Sequence, residues 1–348
     1  MDIRENPVTS FLGECLGFFA PMNGGKTEAL VQELKRAGYY GLNSIAYNHI
    51  RNTREINAIA IDGKDPHPGK TVSNMTELRV DLEMRIETLR SQKVGLQGIN
   101  GEIRIEGVPH QKDLPLKVVG IDEVNLFCLT EEETTEMLDF MHWCRQPEHL
   151  MALYVSGLLY DFRHLPFGQV HSLLPYIDRK EEKKPACMAI GSDKKKCIHT
   201  AKHTQRVWSI PFVEEAGLAE LLPGMEYFDF RDKSGKDHFK EYVPAPFFDD
   251  TVRIEEVKDG RIIYLPVCNH CARLPFKEEV FAVYDAICHG NKRSDLLPSQ
   301  LLFSRIIDFL SNPIEDWIRK DNPSGLYLPT QIHRNKIGGY SREPRPAE

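Results

Sequence analysis

Residues 18–34, FFAPMNGGKTEALVQEL, carry the reading that decides the fold. An apolar run meets a glycine pair, then lysine and threonine, then Leu30, Leu34 and Ala37 at helical spacing. Strand, glycine loop and helix in that order form the setting of a phosphate-binding loop. The pattern G-x-x-x-x-G-K-[ST] is met by Ala20, Pro21, Met22, Asn23, Gly24, Gly25, Lys26 and Thr27, except at its first position. Backbone N–H groups in such a loop face phosphates at a helix N-terminus, where negative charge is already favoured. The lysine reaches the outer phosphates, and the threonine hydroxyl helps to hold Mg²⁺. Alanine fits the first position if its φ is negative, because only positive φ bars it.

Outward from the loop, the first half of the chain alternates strand and helix patterns. Residues 14–20 (ECLGFFA), 42–48 (LNSIAYN), 116–123 (LKVVGIDE) and 150–157 (LMALYVSG) read as strands. Between them, capping boxes at Asn74/Glu77 and Thr130/Glu133 open helices that run to about residue 92 and Trp143. This alternation predicts a mostly parallel, doubly wound α/β sheet. The third strand ends in Asp122 and Glu123, at the edge where open α/β sheets bind ligands. An acid there stands near a phosphate-bound metal, and a second suits a general base.

After residue 180 the chain becomes charged and irregular, and residues 209–250 are rich in aromatics and proline without a clear period. From Lys277 it reads as helical again, before a loose tail. At 348 residues the length suggests about two domains. A net charge of -7 argues against nucleic-acid binding, and a mean hydropathy of -0.39 with short apolar runs argues against a membrane span. The N-terminus lacks a signal-peptide layout, so a reducing, cytoplasmic location is the default expectation. Cys15, Cys128, Cys144 and Cys288 are scattered and read as buried thiols. Cys187, Cys197, Cys268 and Cys271 fall in two clusters, which in that compartment indicate metal before disulfide. His199, His203 and His270 are alternative ligands nearby.

Taken in order, these segments resemble the type II, zinc-containing thymidine kinase family. Its loop G-P-M-F-S-G-K-[ST] is matched by residues 20–27, and its D-x-R element by Arg51 to Arg54, with Asn52 in place of the acid. IDEVNLF (121–127) resembles the family's IDEGQFF, and GLLYDFRHLPFG (157–168) its G-L-x-x-D-F-R-x-x-P-F-G. The first cysteine pair, C-x2-C in the family, is C-x9-C here. Tyr264 and Cys268 match a Tyr-x-x-x-Cys element, and Cys268 with Cys271 the final C-x-x-C. The likeness covers roughly residues 13–275, with a lasso region lengthened by several tens of residues.

The resemblance implies a P-loop NTPase-like core over residues 1–180 and a zinc-binding lasso subdomain over 181–275, whereas residues 276–348, read as a helical extension and loose tail, exceed the family's short tail. It implies ATP-dependent phosphorylation of a deoxynucleoside 5′-hydroxyl, thymidine first. Residues 20–27, Arg54 and Asp122 would serve the triphosphate, with Thr27 and Asp122 on Mg²⁺ and Glu123 as base. Met22, Leu126, Leu158, Phe162 and Phe167 would wall the nucleoside, covered by Tyr264 and the backbone from Val257 to Gly260. The four clustered cysteines would bind structural Zn²⁺, and the assembly would be a homo-oligomer, a tetramer in the family. Two alternatives stand beside this: a kinase of another nucleoside, and a silent nucleotide-binding scaffold.

Overall fold

The computed structural model describes residues 11–52, 58–59, 67–97, 115–249, 260–289 and 300–311. Arg54, Val257, the Cys288 side chain and the tail after residue 311 lie outside the described residues. The chain divides into two compact units. One comprises Met1–Ala20, Gly24–Leu159 and Gln169–Lys183; the other comprises Pro21–Asn23, Tyr160–Gly168 and Lys184–Glu348.

The first unit contains β1 (Cys15–Phe19), α1 (Lys26–Tyr39), β2 (Asn43–His49), the two-residue strands β3 (Ala58–Ile59) and β4 (His67–Pro68), and β5 (Lys70–Val72). It continues with α2 (Met75–Gln97), β6 (Leu116–Ile121), α3 (Glu131–Arg145), β7 (Ala152–Gly157) and β8 (Arg179–Glu182). Six of these strands form one sheet in the order β5-β2-β6-β7-β1-β8, parallel throughout. Period-two side-chain alternation splits each central strand between two cores. Leu16 and Phe18 face a cluster with Leu30, Leu34 and Ala37 of α1. Cys15 and Phe19 face the other, with Leu78 and Leu82 of α2 and Met137, Phe140 and Met141 of α3. Burial on both faces explains why these strands read as unbroken apolar runs.

Two local expectations are revised. The stretch after residue 180 is not irregular from its start, because Arg179–Glu182 pairs with β1 as an edge strand. Its four side chains are exposed, so it carries no apolar signal. At the start of α2, the Asn74 Oδ1 accepts from the Glu77 N–H at 2.8 Å, but the Glu77 carboxylate turns to Ser73 and so does not close the box.

Helix α3 does have the full box. Thr130 Oγ1 accepts from the Glu133 N–H at 3.0 Å, and Glu133 Oε2 accepts from the Thr130 N–H at 3.2 Å. Glu133 also pairs with Arg51 at 3.1 Å, which ties the end of β2 to α3. Thr130→Ala is expected to cost about 1 kcal/mol, read as a lower urea midpoint at unchanged slope.

The second unit contains β9 (His203–Ser209), α4 (Ile210–Glu215), β10 (Phe230–Arg231), β11 (Asp237–His238), β12 (Tyr242–Pro244), β13 (Ile262–Val267), α5 (Lys277–His289) and α6 (Gln300–Ser311). An antiparallel sheet in the order β12-β9-β13 is its framework. Helices α5 and α6 fall where the sequence pattern after Lys277 placed them. No helix among the described residues is long and apolar enough to cross a membrane.

Candidate active site

In the first unit, β1 and β6 deliver the loop and the acid pair to the same edge of the parallel sheet. Gly25 caps α1 at φ +81°, a conformation that favours glycine, and its carbonyl accepts from the Ala29 N–H at 3.1 Å. Ala20 is not among the positive-φ residues, so alanine is unstrained at the position where the loop pattern has glycine. Lys26, at the first turn of α1, is buried, and its Nζ lies 2.8 Å from Glu123 Oε1. Thr27 Oγ1 donates to Asp122, with oxygens at 3.0 and 3.3 Å.

Asp122 follows β6 and is fixed by its own N–H, which donates to the Tyr47 carbonyl at 2.9 Å, and by a hydrogen bond from the Ser156 hydroxyl. Glu123 begins the tight turn Val124–Phe127 and sits at φ +51°. A non-glycine residue held there costs of order 1 kcal/mol or more, and such strain concentrates at functional positions. Its other oxygen, Oε2, is buried and has no hydrogen-bond partner among the described residues. The Nδ2 of Asn125 is in the same condition, while its Oδ1 accepts from the Leu158 N–H at 2.9 Å. Buried polar atoms are nearly always paired, so this is where a further hydrogen-bonding group fits.

Sequence reading found Lys26, Thr27, Asp122 and Glu123, and the structure brings these four together. It missed the supporting roles of Ser156 and Asn125. A hydroxyl inside the otherwise apolar strand ALYVSG was the available signal for Ser156. Asn52 is buried and donates to Asn48 Oδ1 at 3.0 Å, so no acid stands at that position.

Burial, then the neighbouring Glu123 carboxylate, pushes the Asp122 carboxyl above its ordinary range, against the opposing charge of Lys26. The linkage sign follows: an acid whose folded pKa is raised takes stability away as pH climbs past the ordinary carboxylate range. Asp122→Asn keeps the acceptor oxygen and removes the charge. It is expected to raise the melting temperature at neutral pH, without nucleotide, by roughly 2–4 °C. A lower melting temperature at neutral pH would show the carboxylate to be a net stabiliser.

In the second unit, residues 186–200 fold back on themselves through the bridges Ala186↔Thr200 and Ile190↔Lys196. The Cys187 N–H donates to His199 and the Cys197 N–H to Ala189, both at 2.9 Å. This return brings the C-x9-C pair together as C-x2-C does in a tight turn. The end of β13 supplies Cys268 and Cys271, and the four Sγ atoms all lie within 4.8 Å of one another. A tetrahedral thiolate site with bonds of about 2.3 Å sets its sulfurs about 3.8 Å apart. Cys197 and Cys268 are separated by 3.8 Å, so the donor set fits such an ion. The histidines stand beside this set: His199 Nδ1 lies 3.3 Å from Cys197 Sγ, and His203 Nε2 lies 2.8 Å from Asn269 Oδ1.

The residues expected to wall a nucleoside divide between the units. Leu126 and Leu158 are buried in the first; Met22, Phe162, Phe167, Gly260 and Tyr264 belong to the second. The Met22 N–H donates to Thr204 Oγ1 at 3.0 Å, and Asn23, at φ +64°, donates from Nδ2 to the Tyr264 carbonyl at 2.7 Å.

The fold is thus a parallel α/β sheet whose first strand runs through a glycine loop into a helix, accompanied by a four-cysteine cluster that could hold a metal ion. No protein-family model matches the chain. A thymidine kinase of Mesoplasma florum is 24% identical over 200 residues, covering 55% of this chain and 79% of that one. A thymidine kinase of Mycoplasmoides gallisepticum is 24% identical over 190 residues, covering 55% and 69%. Over about half its length the chain is thus similar to proteins named thymidine kinase.

Proposed function

We propose that the chain is an ATP-dependent deoxynucleoside kinase of the zinc-containing, type II class, with thymidine as the leading substrate. The observation that carries the reading is the buried Lys26–Glu123 pair beside Thr27 and Asp122, with one Glu123 oxygen left unpartnered. A base with a free acceptor atom next to a phosphate-binding lysine suits removal of a proton from an attacking hydroxyl. The names of the two relatives support the same chemistry.

In this reading Glu123 Oε2 takes the 5′-hydroxyl proton as the hydroxyl oxygen attacks the γ-phosphorus, and the bond from that phosphorus to the β-phosphate oxygen breaks to release ADP. Backbone N–H groups from Asn23 to Thr27 hold the phosphates, and Lys26 offsets the charge that spreads over the transferred phosphoryl group. The oxygens of Thr27 and Asp122 suit a hard cation, and Mg²⁺ bound with ATP supplies charge neutralisation there. Met22, Leu126, Leu158, Phe162 and Phe167 contact the nucleoside, and Tyr264 with the backbone near Gly260 covers the base. The four cysteines hold structural Zn²⁺, since a closed four-thiolate set leaves no open position for catalysis.

The test is ATP consumption by purified protein with Mg²⁺ and single nucleosides, thymidine and deoxyuridine first, with the product identified as the 5′-monophosphate. Turnover on thymidine is the expected result. Turnover on another nucleoside alone would move the specificity and keep the mechanism. Silence on all of them, from folded and metal-loaded protein, would leave a nucleotide-binding scaffold.

A further inference from the structure

The second unit buries two complete guanidinium groups, those of Arg163 and Arg206, both 0% exposed. Each is balanced by a buried acid. Arg206 Nη1 lies 3.0 Å from Asp249 Oδ2, and Arg163 Nη1 lies 3.7 Å from Asp161 Oδ2. Arg163 Nη2 also donates to the Asp249 carbonyl at 3.1 Å, and Asp161 Oδ1 accepts from the Arg163 and Leu165 N–H groups at 2.8 and 3.0 Å. Two cations and two anions thus share one buried region, where an ion pair adds little net stability.

The aromatic neighbours of these cations form a continuous series. Arg163 lies 5.3 Å from the ring of Phe309 in α6 and 4.9 Å from that of Phe162. Arg206 lies 5.2 Å from the ring of Phe162 and 5.5 Å from that of Tyr264. Ring and guanidinium therefore alternate from Phe309 through Arg163, Phe162 and Arg206 to Tyr264. Helix α6 is held at its surface side as well, where Arg305 bonds Glu220 at 2.7 Å and the Gly217 carbonyl at 3.3 Å.

We infer that the helical extension after Lys277 is a positioning element for the nucleoside site, acting through this series. Phe162 and Tyr264 are two of the three aromatic residues, with Phe167, that the kinase reading assigns to the nucleoside, so the inference rests on that reading. Phe309 and Arg163 touch no substrate; they fix the rings that do. A guanidinium stacked on a ring resists sliding and tilting, because the attraction depends on its place over the ring face. The substrate this serves is a flat base, whose binding depends on how closely the covering rings are set.

The experiment uses the full chain with Phe309→Leu, Phe309→Tyr and Arg305→Ala. Phe309→Leu keeps an apolar side chain and removes the ring; it is expected to raise KM for the nucleoside about tenfold, with KM for ATP and kcat close to wild type. Phe309→Tyr restores the ring and is expected to restore KM. Arg305→Ala loosens α6 from its partly exposed face, where folding is not at risk, and is expected to raise the same KM about two- to threefold. Amide exchange over residues 160–168 is measured in parallel and is expected to quicken in Phe309→Leu and Arg305→Ala but not in Phe309→Tyr. Unchanged exchange in that segment, or an equal rise in both KM values, would overturn the inference. If wild type phosphorylates no nucleoside, the kinase reading falls, and the exchange measurement still decides whether α6 fixes the Phe162 segment.

Discussion

Glu123→Gln is expected to lower kcat by roughly 10²–10⁴-fold, with little change in KM for ATP. The substitution keeps size and hydrogen-bonding capacity but cannot accept the hydroxyl proton at the unpartnered oxygen. It also has a structural effect that must be separated from the chemical one. Lys26 is buried against Glu123 at 2.8 Å, so glutamine leaves the cation with Asp122 as its remaining acidic neighbour among the described residues. Breaking a buried pair from one side costs about 3–5 kcal/mol, and the remaining acid places this case at the low end. The double variant Lys26→Met, Glu123→Gln removes both charges and is expected to recover stability without recovering turnover. Single-turnover rates and urea unfolding on the three proteins separate the two effects. Full activity in Glu123→Gln would remove this residue as the base and leave Asp122 as the acid to test.

Cys271→Ser is expected to abolish metal binding at the four-cysteine set and to destabilise the second unit. Structural zinc in small sites contributes about 10–16 kcal/mol of apparent binding free energy at neutral pH, while a whole domain is stable by about 5–15 kcal/mol. Loss of one of four ligands therefore removes most of what holds the 186–200 return to the end of β13. Elemental analysis is expected to give one zinc per wild-type chain, and chelator titration is expected to remove it together with the ellipticity of this unit. Metal uptake displaces thiol protons, so affinity is expected to fall as pH falls. Wild-type protein that is metal-free and melts unchanged with chelator would refute the site.

How far the sequence reveals this molecule depends on whether the relevant contacts are local. The central strands β1, β2, β6 and β7 were legible because burial on both faces writes them as apolar runs. The capping box at Thr130 was legible because its partners are three residues apart. The edge strand Arg179–Glu182 was hidden, since its pairing with β1 uses backbone alone and its side chains all meet solvent. Lys26, Thr27, Asp122 and Glu123 were found because each sits in a motif at a strand end. Ser156 lies in no motif and Asn125 stands where IDEVNLF departs from its pattern, so their part in the site comes from distances across the sheet edge. The stacked series from Phe309 to Tyr264 could not be read at all. Arg163 and Phe309 are far apart in the chain, and each alone resembles an ordinary core or surface residue.

The spread of the four cysteines also sets a schedule for biosynthesis. The last strand of the parallel sheet, β8, ends at Glu182, whereas the final thiol is Cys271. At ordinary rates of roughly 5–20 residues per second, several seconds separate the emergence of the two from the ribosome. During that interval β9 waits first for β12 and then for β13, and Cys187 and Cys197 await half of their site. The nascent second unit therefore passes through a stage with an open strand edge and an incomplete set of thiols. With a metal ion in the completed set, the yield of folded protein at synthesis is expected to depend on metal supply, as its later stability does.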